Sequence, residues 1–310
     1  MTAPVHLAGM GWLGSVIAGH LDRAGIPFTW YDPDDEVRAW PACTGLVYPA
    51  GDRRSTDDLA TWHQWLADPW WPDTATGAAA PHTYVYAHKN PPHAGNYHPA
   101  ADLGWCRTSP TAAVQVDAPA IIHATRDHHA ATRLDHDRPD APVHITAHGF
   151  AERLHRFVWG WTTVVNLETP PDLAEVITHP PTFYSRLHRF QITYAYAIPT
   201  RPGWYWAGSN LIVQQNPRDL DPGPFFDRWL NAWHQTYPTV PVVGIAETLT
   251  GWRPRGAPTD DLEVHTATDT GHVRITVPPL WHSGVRWSPG VATATLAATR
   301  NALGLPTEVA

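Results

Sequence analysis

The chain opens with an alternation of apolar runs and turns that is typical of a βαβ unit. An apolar run over residues 5–8 ends at a glycine, and apolar residues then recur at helical spacing over 13–24. Gly25 predicts the end of that helix. The aromatic and β-branched run over 28–31 predicts a second strand, and Asp32 follows directly after it. The pattern therefore predicts strand, glycine-rich turn, helix, strand and acidic residue in that order.

The remainder of the chain predicts a mixture of amphipathic helices and short strands. Helices are predicted, from apolar residues at helical spacing, over 56–66, 224–237 and 289–303. The last helix is predicted to begin at Pro289, with Ser288 as its cap residue. Strands are predicted, from runs rich in β-branched and aromatic residues, over 83–87, 120–125, 143–146, 157–167, 190–198, 203–209, 242–249, 262–266 and 272–277.

Charge and hydropathy exclude several classes of protein. The 310 residues include 21 basic and 29 acidic side chains, which gives a formal net charge of −8 with histidine neutral. A basic patch for nucleic acid or a membrane surface is therefore not indicated, although 20 histidines that titrate near neutrality weaken this argument. No run reaches the roughly 18 uninterrupted apolar residues of a membrane span, so no membrane partner is expected.

Cysteine and histidine spacing indicates neither a disulfide framework nor a metal site. Cys43 and Cys106 are too few for a disulfide scaffold, and neither lies in a C-x-x-C pair. This favours a reducing, cytoplasmic location. His128 and His129 lie near several aspartates, but adjacent histidines rarely point at one ion. No metal site is predicted.

A G-x-G-x-x-G motif lies between the first predicted strand and the first helix. Glycines let the backbone approach a pyrophosphate closely, and the helix N-terminus supplies N–H donors to it. Asp32 follows the last glycine by 18 residues, close to the spacing of about 20 for a carboxylate that binds ribose hydroxyls. The motif predicts a dinucleotide site without a 2′-phosphate, and NAD and FAD both fit it. The predicted contacts are Gly9, Gly11, Trp12, Leu13, Gly14 and Asp32.

Four further segments, in the same order along the chain, resemble the D-amino-acid oxidase and glycine oxidase superfamily of FAD-dependent oxidoreductases. They are a small-residue loop with a glycine, a pair of strands around a turn, a G-x-R-P stretch followed by T-D, and a glycine turn that opens the last helix. Here they read PACTGLVYP (41–49), AIPTRPGWYWAGS (197–209), TGWRP (250–254) with TD (259–260), and HSGVRWSPG (282–290). The resemblance covers most of the chain except roughly 68–140.

The resemblance implies an α/β fold with an α+β substrate part. A discontinuous, Rossmann-like FAD-binding domain would consist of residues 1–70, 120–168 and 246–310. An antiparallel-sheet substrate domain would consist of residues 71–119 and 169–245. In this arrangement the antiparallel sheet lies over the flavin face.

The resemblance also implies FAD as the cofactor and a set of residues that contact it. The N-terminus of the last helix would stabilise the negative charge of reduced flavin around N1 and O2. Glycine lies between two tryptophans in the second flavin loop, where small residues are common in the family. The implied contacts are Cys43, Thr44, Gly45, Leu46, Gly160, Arg253, Gly284, Val285, Arg286, Trp287 and Ser288.

The residues that would act on substrate depart from the family pattern. Members that act on free amino acids generally clamp the substrate carboxylate with an arginine, which in glycine-oxidase-like members lies two residues before the glycine of the last turn. His282 occupies that position here. The candidate catalytic residues are therefore His282 and Arg253, and the departure points away from a simple amino acid as substrate.

The predicted activity is FAD-dependent oxidation of a C–N bond in an amine or amino-acid-like substrate, by hydride transfer to the flavin. Positioning and stabilisation of reduced flavin would supply most of the catalysis, so no protein base is obligatory. Three other interpretations stay open. They are a flavoenzyme for an amine attached to a larger molecule such as a modified nucleotide, an NAD-dependent dehydrogenase, and a non-catalytic nucleotide-binding protein.

Overall fold

The structure is a computed structural model that describes residues 3–33, 40, 43, 45–47, 53–82, 85–88, 98–100, 104–108, 112–148, 157–168, 175–176, 189–213, 221–236, 238–254, 263–278 and 284–306. The α-helices within these residues are α1 Trp12–Arg23, α2 Arg53–Ala67, α3 Ala118–His128, α4 Gly223–Thr236 and α5 Gly284–Ala302. The strands are β1 Val5–Ala8, β2 Phe28–Tyr31, β3 Leu46–Val47, β4 Ala79–His82, β5 Val85–His88, β6 His98–Ala100, β7 Gly104–Thr108, β8 Ala113–Val116, β9 Val143–Thr146, β10 Phe157–Leu167, β11 Glu175–Val176, β12 Arg189–Ala197, β13 Trp204–Val213, β14 Val242–Pro254, β15 His265–Asp269 and β16 His272–Thr276.

A five-stranded sheet in the order β15-β16-β9-β1-β2 is built around the predicted βαβ unit. β1 pairs in parallel with β2 and β9, β16 pairs in parallel with β9, and β15 joins as an antiparallel hairpin strand. Alternate residues of β1, Val5 and Leu7, are fully buried in a core that includes Ile17 of α1 and Val291 of α5. The predicted strand, helix and strand of the opening segment are confirmed.

A second five-stranded sheet, β11-β12-β13-β10-β14, is antiparallel throughout its described pairs. Helix α4 packs on one face of it, where Trp229 and Trp233 stack and lie in one cluster with Trp159 and Trp161. This confirms the predicted strands of this region and the predicted amphipathic helix. The described residues also form two three-stranded sheets, β3-β8-β4 and β5-β7-β6.

The predicted strand over 120–125 is wrong, because these residues belong to α3. The Asp117 carboxylate caps the helix by accepting the Ala120 N–H at 3.2 Å. Ile121, Ile122 and Thr125 are fully buried, which is helical spacing and not the alternation of a strand. The two adjacent isoleucines suggested a strand because β-branched residues favour one locally, and packing overrides that preference here.

The predicted start of the last helix at Pro289 is also wrong, because α5 begins at Gly284 and contains Pro289. A proline inside a helix leaves the carbonyl four residues earlier without its usual donor. Here that carbonyl belongs to Val285, and it accepts from Ser288 Oγ at 2.8 Å and from Trp62 Nε1 at 3.0 Å. Ser288 is therefore an internal helix residue and not the cap.

The division into two domains stays a prediction. The structure places β10, which the predicted boundary puts in the nucleotide-binding part, in the antiparallel sheet between β13 and β14. Among the described residues, no helix combines the length and apolar character that crossing a membrane requires.

Candidate dinucleotide-binding site

The glycine turn after β1 is held closely between the ends of two neighbouring strands. Gly9 has φ +99°, a left-handed conformation that side chains rarely adopt, and a Cβ there would lie 2.7 Å from the Ala147 carbonyl oxygen. Its N–H donates to the Tyr31 carbonyl at 2.7 Å, while the Ala147 N–H donates to the Ala8 carbonyl at 2.7 Å. The backbone at this turn therefore requires glycine.

The first turn of α1 packs directly on this glycine turn. A Cβ at Gly14 would lie 1.9 Å from the Gly9 carbonyl oxygen, so only glycine permits the contact. Gly11 occupies the N-cap position, no side chain caps the helix, and its first turn holds no acidic residue. The first N–H groups of a helix carry partial positive charge and need an acceptor. The arrangement fits the pyrophosphate of a dinucleotide.

Asp32 follows β2 and lies beside the turn, as the motif predicts. Its Oδ2 accepts the Met10 N–H at 2.8 Å and lies 2.5 Å from Arg126 Nη2 of α3. Arg126 Nε donates to the Met10 carbonyl at 2.9 Å, so the guanidinium holds both the carboxylate and the turn. The side chains of Asp32 and Arg126 are 10% and 14% exposed. A ribose bound at this carboxylate would share it with the guanidinium.

The sequence analysis missed Arg126 for two reasons. Its helix α3 was predicted as a strand, and Arg126 lies 94 residues from Asp32 along the chain. The same guanidinium lies over the Trp40 ring, 5.4 Å from its centroid, and His123 packs edge-on to that ring at 5.2 Å. Trp40 Cδ1 would lie 3.5 Å from a Cβ on Gly11. An aromatic and cationic surface therefore adjoins the glycine turn.

The loop predicted after the second strand packs against β8. Gly45 has φ +65°, and a Cβ there would lie 1.8 Å from the Val116 carbonyl oxygen. Leu46 begins β3, which pairs antiparallel with β8. Cys43 is partly buried against the tryptophan-rich core, and its N–H donates to the Trp40 carbonyl at 3.1 Å. Thr44 lies outside the described residues.

The N-terminus of α5 lies at Gly284, so its positive pole is earlier in the chain than predicted. Val285, Arg286, Trp287 and Ser288 are all buried, and the Arg286 guanidinium lies 5.1 Å from the Trp287 ring centroid. His282 lies outside the described residues, so its predicted catalytic role stays a prediction.

Gly160 and Arg253 lie within strands and not in loops. Gly160 is in the middle of β10, directly opposite Gly251 of β14, while the backbone of Arg253 pairs with Val158. Trp159 and Trp161 flank Gly160 and face α4. The expected second flavin loop at this position is therefore the centre of a strand, and the cofactor-binding roles of Gly160 and Arg253 stay predictions.

Three glycines lie close together on the face of the antiparallel sheet opposite α4. Gly160 lies opposite Gly251, and Thr162, the next residue on that face, lies opposite Gly208. We call Gly160, Gly208 and Gly251 the glycine patch. Further along the same face, Val164 and Trp206 pack in one cluster with Ala113 of β8 and Leu46 of β3. The patch therefore shares its face of the sheet with a cluster that includes residues of β3 and β8.

Solved structures of flavoenzymes superpose on nearly the whole chain. The iminodiacetate oxidase from Chelativorans sp. BNC1 gives a TM-score of 0.64 at 15% identity, covering 99% of this chain and 97% of that one. The glycine oxidase from Geobacillus kaustophilus gives 0.64 at 13% identity, covering 99% and 96%. The chain has the same fold as these two oxidases. An FAD-dependent oxidoreductase from Pseudomonas aeruginosa shares this fold, with a TM-score of 0.63 at 13% identity over 98% and 92%.

The parallel and antiparallel sheets and the fold shared with these structures confirm the predicted α/β class with an antiparallel part. Neither a protein-family model nor a curated protein sequence matches the chain. The likeness is therefore one of structure at low sequence identity, and the chemistry must be argued from the residues of this chain.

Proposed function

We propose that this protein binds FAD and oxidises a carbon–nitrogen bond of an amine or amino-acid-like substrate. The observation that carries the proposal is the glycine turn, which only glycine can form and which packs on a helix N-terminus without a side-chain cap. An uncapped helix start beside a ribose-binding carboxylate is the arrangement that a dinucleotide needs. We propose FAD and not NAD as the dinucleotide, because the chain shares its fold with an FAD-dependent oxidoreductase.

The residues of the turn would bind the ADP half of the cofactor. The N–H groups at the start of α1 would donate to the pyrophosphate, and Asp32 would accept from the ribose hydroxyls. Arg126 would keep Asp32 in place, because it bridges that carboxylate to the Met10 carbonyl. These residues bind and orient the cofactor and take no part in the chemistry.

The reacting end of the cofactor would lie between α5 and the antiparallel sheet. Bound flavin supplies the chemistry, since it accepts a hydride from a carbon beside an amine nitrogen. The N–H groups at the start of α5 would stabilise negative charge in this place. Val164 and Trp206 are buried beside the glycine patch and would exclude water from this place.

The proposed substrate class rests on the structural neighbours and on the fold. Two of them are described as an iminodiacetate oxidase and a glycine oxidase. Both names denote enzymes for small carboxylated amines. We propose the broader class of amines and amino-acid-like compounds here, since the carboxylate-clamping arginine of the superfamily is replaced by His282 in the sequence.

A spectrum of the purified protein and an anaerobic substrate screen test this proposal. The protein should be yellow, or become so on reconstitution with FAD, and one class of amine should bleach the flavin. Bleaching by conjugated amines but not by free ones would favour the alternative of a larger substrate. Binding of a nicotinamide cofactor without FAD would overturn the proposal, and a flavin that dithionite reduces but no amine reduces would indicate a non-catalytic protein.

A further inference from the structure

Two histidines and an aspartate meet on one face of the parallel sheet, apart from the residues assigned to the dinucleotide. His6 of β1 and His144 of β9 are direct neighbours in the register of these parallel strands. The alternate residues Val5 and Leu7 pack in the core with α1 and α5, so both imidazoles lie on the opposite face. Asp137 reaches this face from the loop before β9.

The spacing of the three side chains is close to that of a tetrahedral metal site. Asp137 Oδ1 lies 3.0 Å from His6 Nε2 and 2.9 Å from His144 Nε2, and all three atoms lie within 4.8 Å of one another. Zinc binds nitrogen and oxygen at about 2.0–2.2 Å in tetrahedral sites, which separates neighbouring ligand atoms by about 3.3 Å. Shifts of a few tenths of an ångström would admit an ion.

His6 directs a buried ring nitrogen at this cluster. Its side chain is 0% exposed, and no hydrogen bond is formed by Nε2, although Asp137 Oδ1 lies 3.0 Å away. The other ring nitrogen, Nδ1, lies 2.9 Å from Thr29 Oγ1. Metal-binding histidines usually donate from their second nitrogen, which leaves a lone pair on the first. Thr29 is in position to accept such a bond from His6.

The other two side chains are held in a similar way. Asp137 Oδ1 accepts the Arg138 backbone N–H at 2.8 Å, which fixes the orientation of the carboxylate. His144 Nδ1 lies 3.4 Å from Thr146 Oγ1. The Asp137 side chain is 35% exposed while the two histidines are buried, so an ion can enter from the side of the aspartate. The ligands are thus oriented before an ion binds.

We propose that His6, Asp137 and His144 bind a divalent transition-metal ion of the zinc class. Two imidazoles and one carboxylate are a common donor set for zinc, and the fourth position would be taken by water. Binding through Nε2 would place the His144 proton on Nδ1, beside Thr146 Oγ1. The ion would join β1, β9 and the loop before β9, so its effect would be on stability and independent of flavin binding.

A second cluster offers a matched control. Asp22, His128 and His129 also bring three potential ligand atoms within 4.8 Å. His128 Nε2 lies 3.8 Å from Asp22 Oδ2, and both side chains are more than half exposed. This cluster lacks a buried nitrogen without a hydrogen bond and has the geometry of an ordinary surface group. Substitution of His128 therefore tests whether exposed histidines account for any metal that the chain binds.

The experiment is a metal titration of the purified full-length protein with Zn²⁺ and with Co²⁺. Bound metal is measured by equilibrium dialysis with elemental analysis, and Co²⁺ is followed by its absorption at wavelengths beyond the flavin bands. We expect one tightly held ion per chain and a higher unfolding temperature with Zn²⁺. Asp137→Asn and His144→Gln should weaken binding at least about tenfold, and Thr29→Val should weaken it about tenfold through His6.

His128→Gln should leave both the stoichiometry and the affinity unchanged. Circular dichroism of each metal-free variant shows whether it folds. We expect Asp137→Asn to fold, because asparagine has the same size as the partly buried aspartate that it replaces. Equal Zn²⁺ affinity of Asp137→Asn and the wild type would overturn the proposal. Loss of binding in His128→Gln, or the absence of a tight ion in the wild type, would overturn it as well.

Discussion

The indole nitrogen of Trp62 donates a hydrogen bond to the Val285 carbonyl, 3.0 Å away. Val285 lies in the first turn of α5, and its carbonyl lacks the usual helical donor because Pro289 stands four residues later. Beside it, Asp58 of the same helix α2 accepts the Gly290 N–H at 3.2 Å. Helix α2 thus supplies a donor to the carbonyl that Pro289 leaves without one, and it holds the start of α5 in place. We propose that the start of α5 lies near the flavin.

Substitution of Trp62 tests the role of its hydrogen bond to the Val285 carbonyl. Trp62→Phe keeps most of the buried ring but removes the donor, so the free energy of unfolding should fall by about 1–2 kcal/mol in a urea titration. Pro289→Ala restores a backbone N–H to the same carbonyl. Trp62→Phe should therefore cost less in the Pro289→Ala background. An equal cost in both backgrounds would contradict the role assigned to the hydrogen bond.

Substitution of Gly14 tests the turn that we propose binds the pyrophosphate. Gly14→Ala forces a Cβ against the Gly9 carbonyl, so the helix must move away from the turn. We expect a loss of about 1–3 kcal/mol of stability and at least about tenfold weaker FAD binding. The measurements are urea unfolding and fluorescence titration with FAD.

Gly271→Ala is the control for that experiment. Gly271 has φ +87°, but a Cβ there meets no atom within 4 Å. It should lose about 1 kcal/mol from backbone strain and leave FAD affinity unchanged. If both variants bind FAD equally well, the contact of α1 with the turn is irrelevant to the cofactor.

The ion pair of Arg126 with Asp32 should contribute far more to stability than a surface pair. Arg126→Gln leaves a largely buried carboxylate with weaker donors, so the free energy of unfolding should fall by about 2 kcal/mol. Arg23 and Asp68 form the matched surface pair, with side chains 45% and 75% exposed. Arg23→Gln should change stability by less than about 1 kcal/mol. Comparable losses in the two variants, measured by urea unfolding, would refute this ranking.

The stability of the protein should fall as pH drops below neutrality, in part because of His20. Burial lowers the pKa of His20, Arg23 lowers it further, and the Val16 carbonyl that its Nδ1 contacts at 2.9 Å opposes these effects. Since the folded-state pKa of His20 lies below the unfolded value of about 6.5, the unfolded chain binds more protons than the folded one between these two pKa values. The contribution of His20 to the free energy of unfolding is therefore fully present above about pH 6.5, and it is lost as the pH falls through the folded-state pKa.

The variant His20→Gln separates this contribution from those of other histidines. Its free energy of unfolding should decline less between pH 7 and pH 5 than that of the wild type. An NMR titration of the His20 ring protons gives the folded-state pKa directly. A measured pKa at or above about 6.5 would rule out the proposed linkage.

Local pattern accounts for the elements that were predicted correctly. β1, α1 and β2 form within one short segment, and their apolar periods and glycines are set by neighbouring residues. Long strands such as β10 and the amphipathic α4 were found for the same reason. The corrected predictions of α3 and of the start of α5 both concern positions where a local preference was overridden. In each, contacts with a distant element decided the outcome.

The sequence by itself determined the βαβ opening, the glycine turn and the position of Asp32, because each depends on spacing along a few turns of backbone. Only the tertiary structure brought Arg126 to Asp32, Trp62 to Val285, and His6 to His144. These pairs are far apart in the chain, and no local period marks them. They meet because the burial of apolar faces brings separate helices and strands together, which fixes the position of every polar group that they carry.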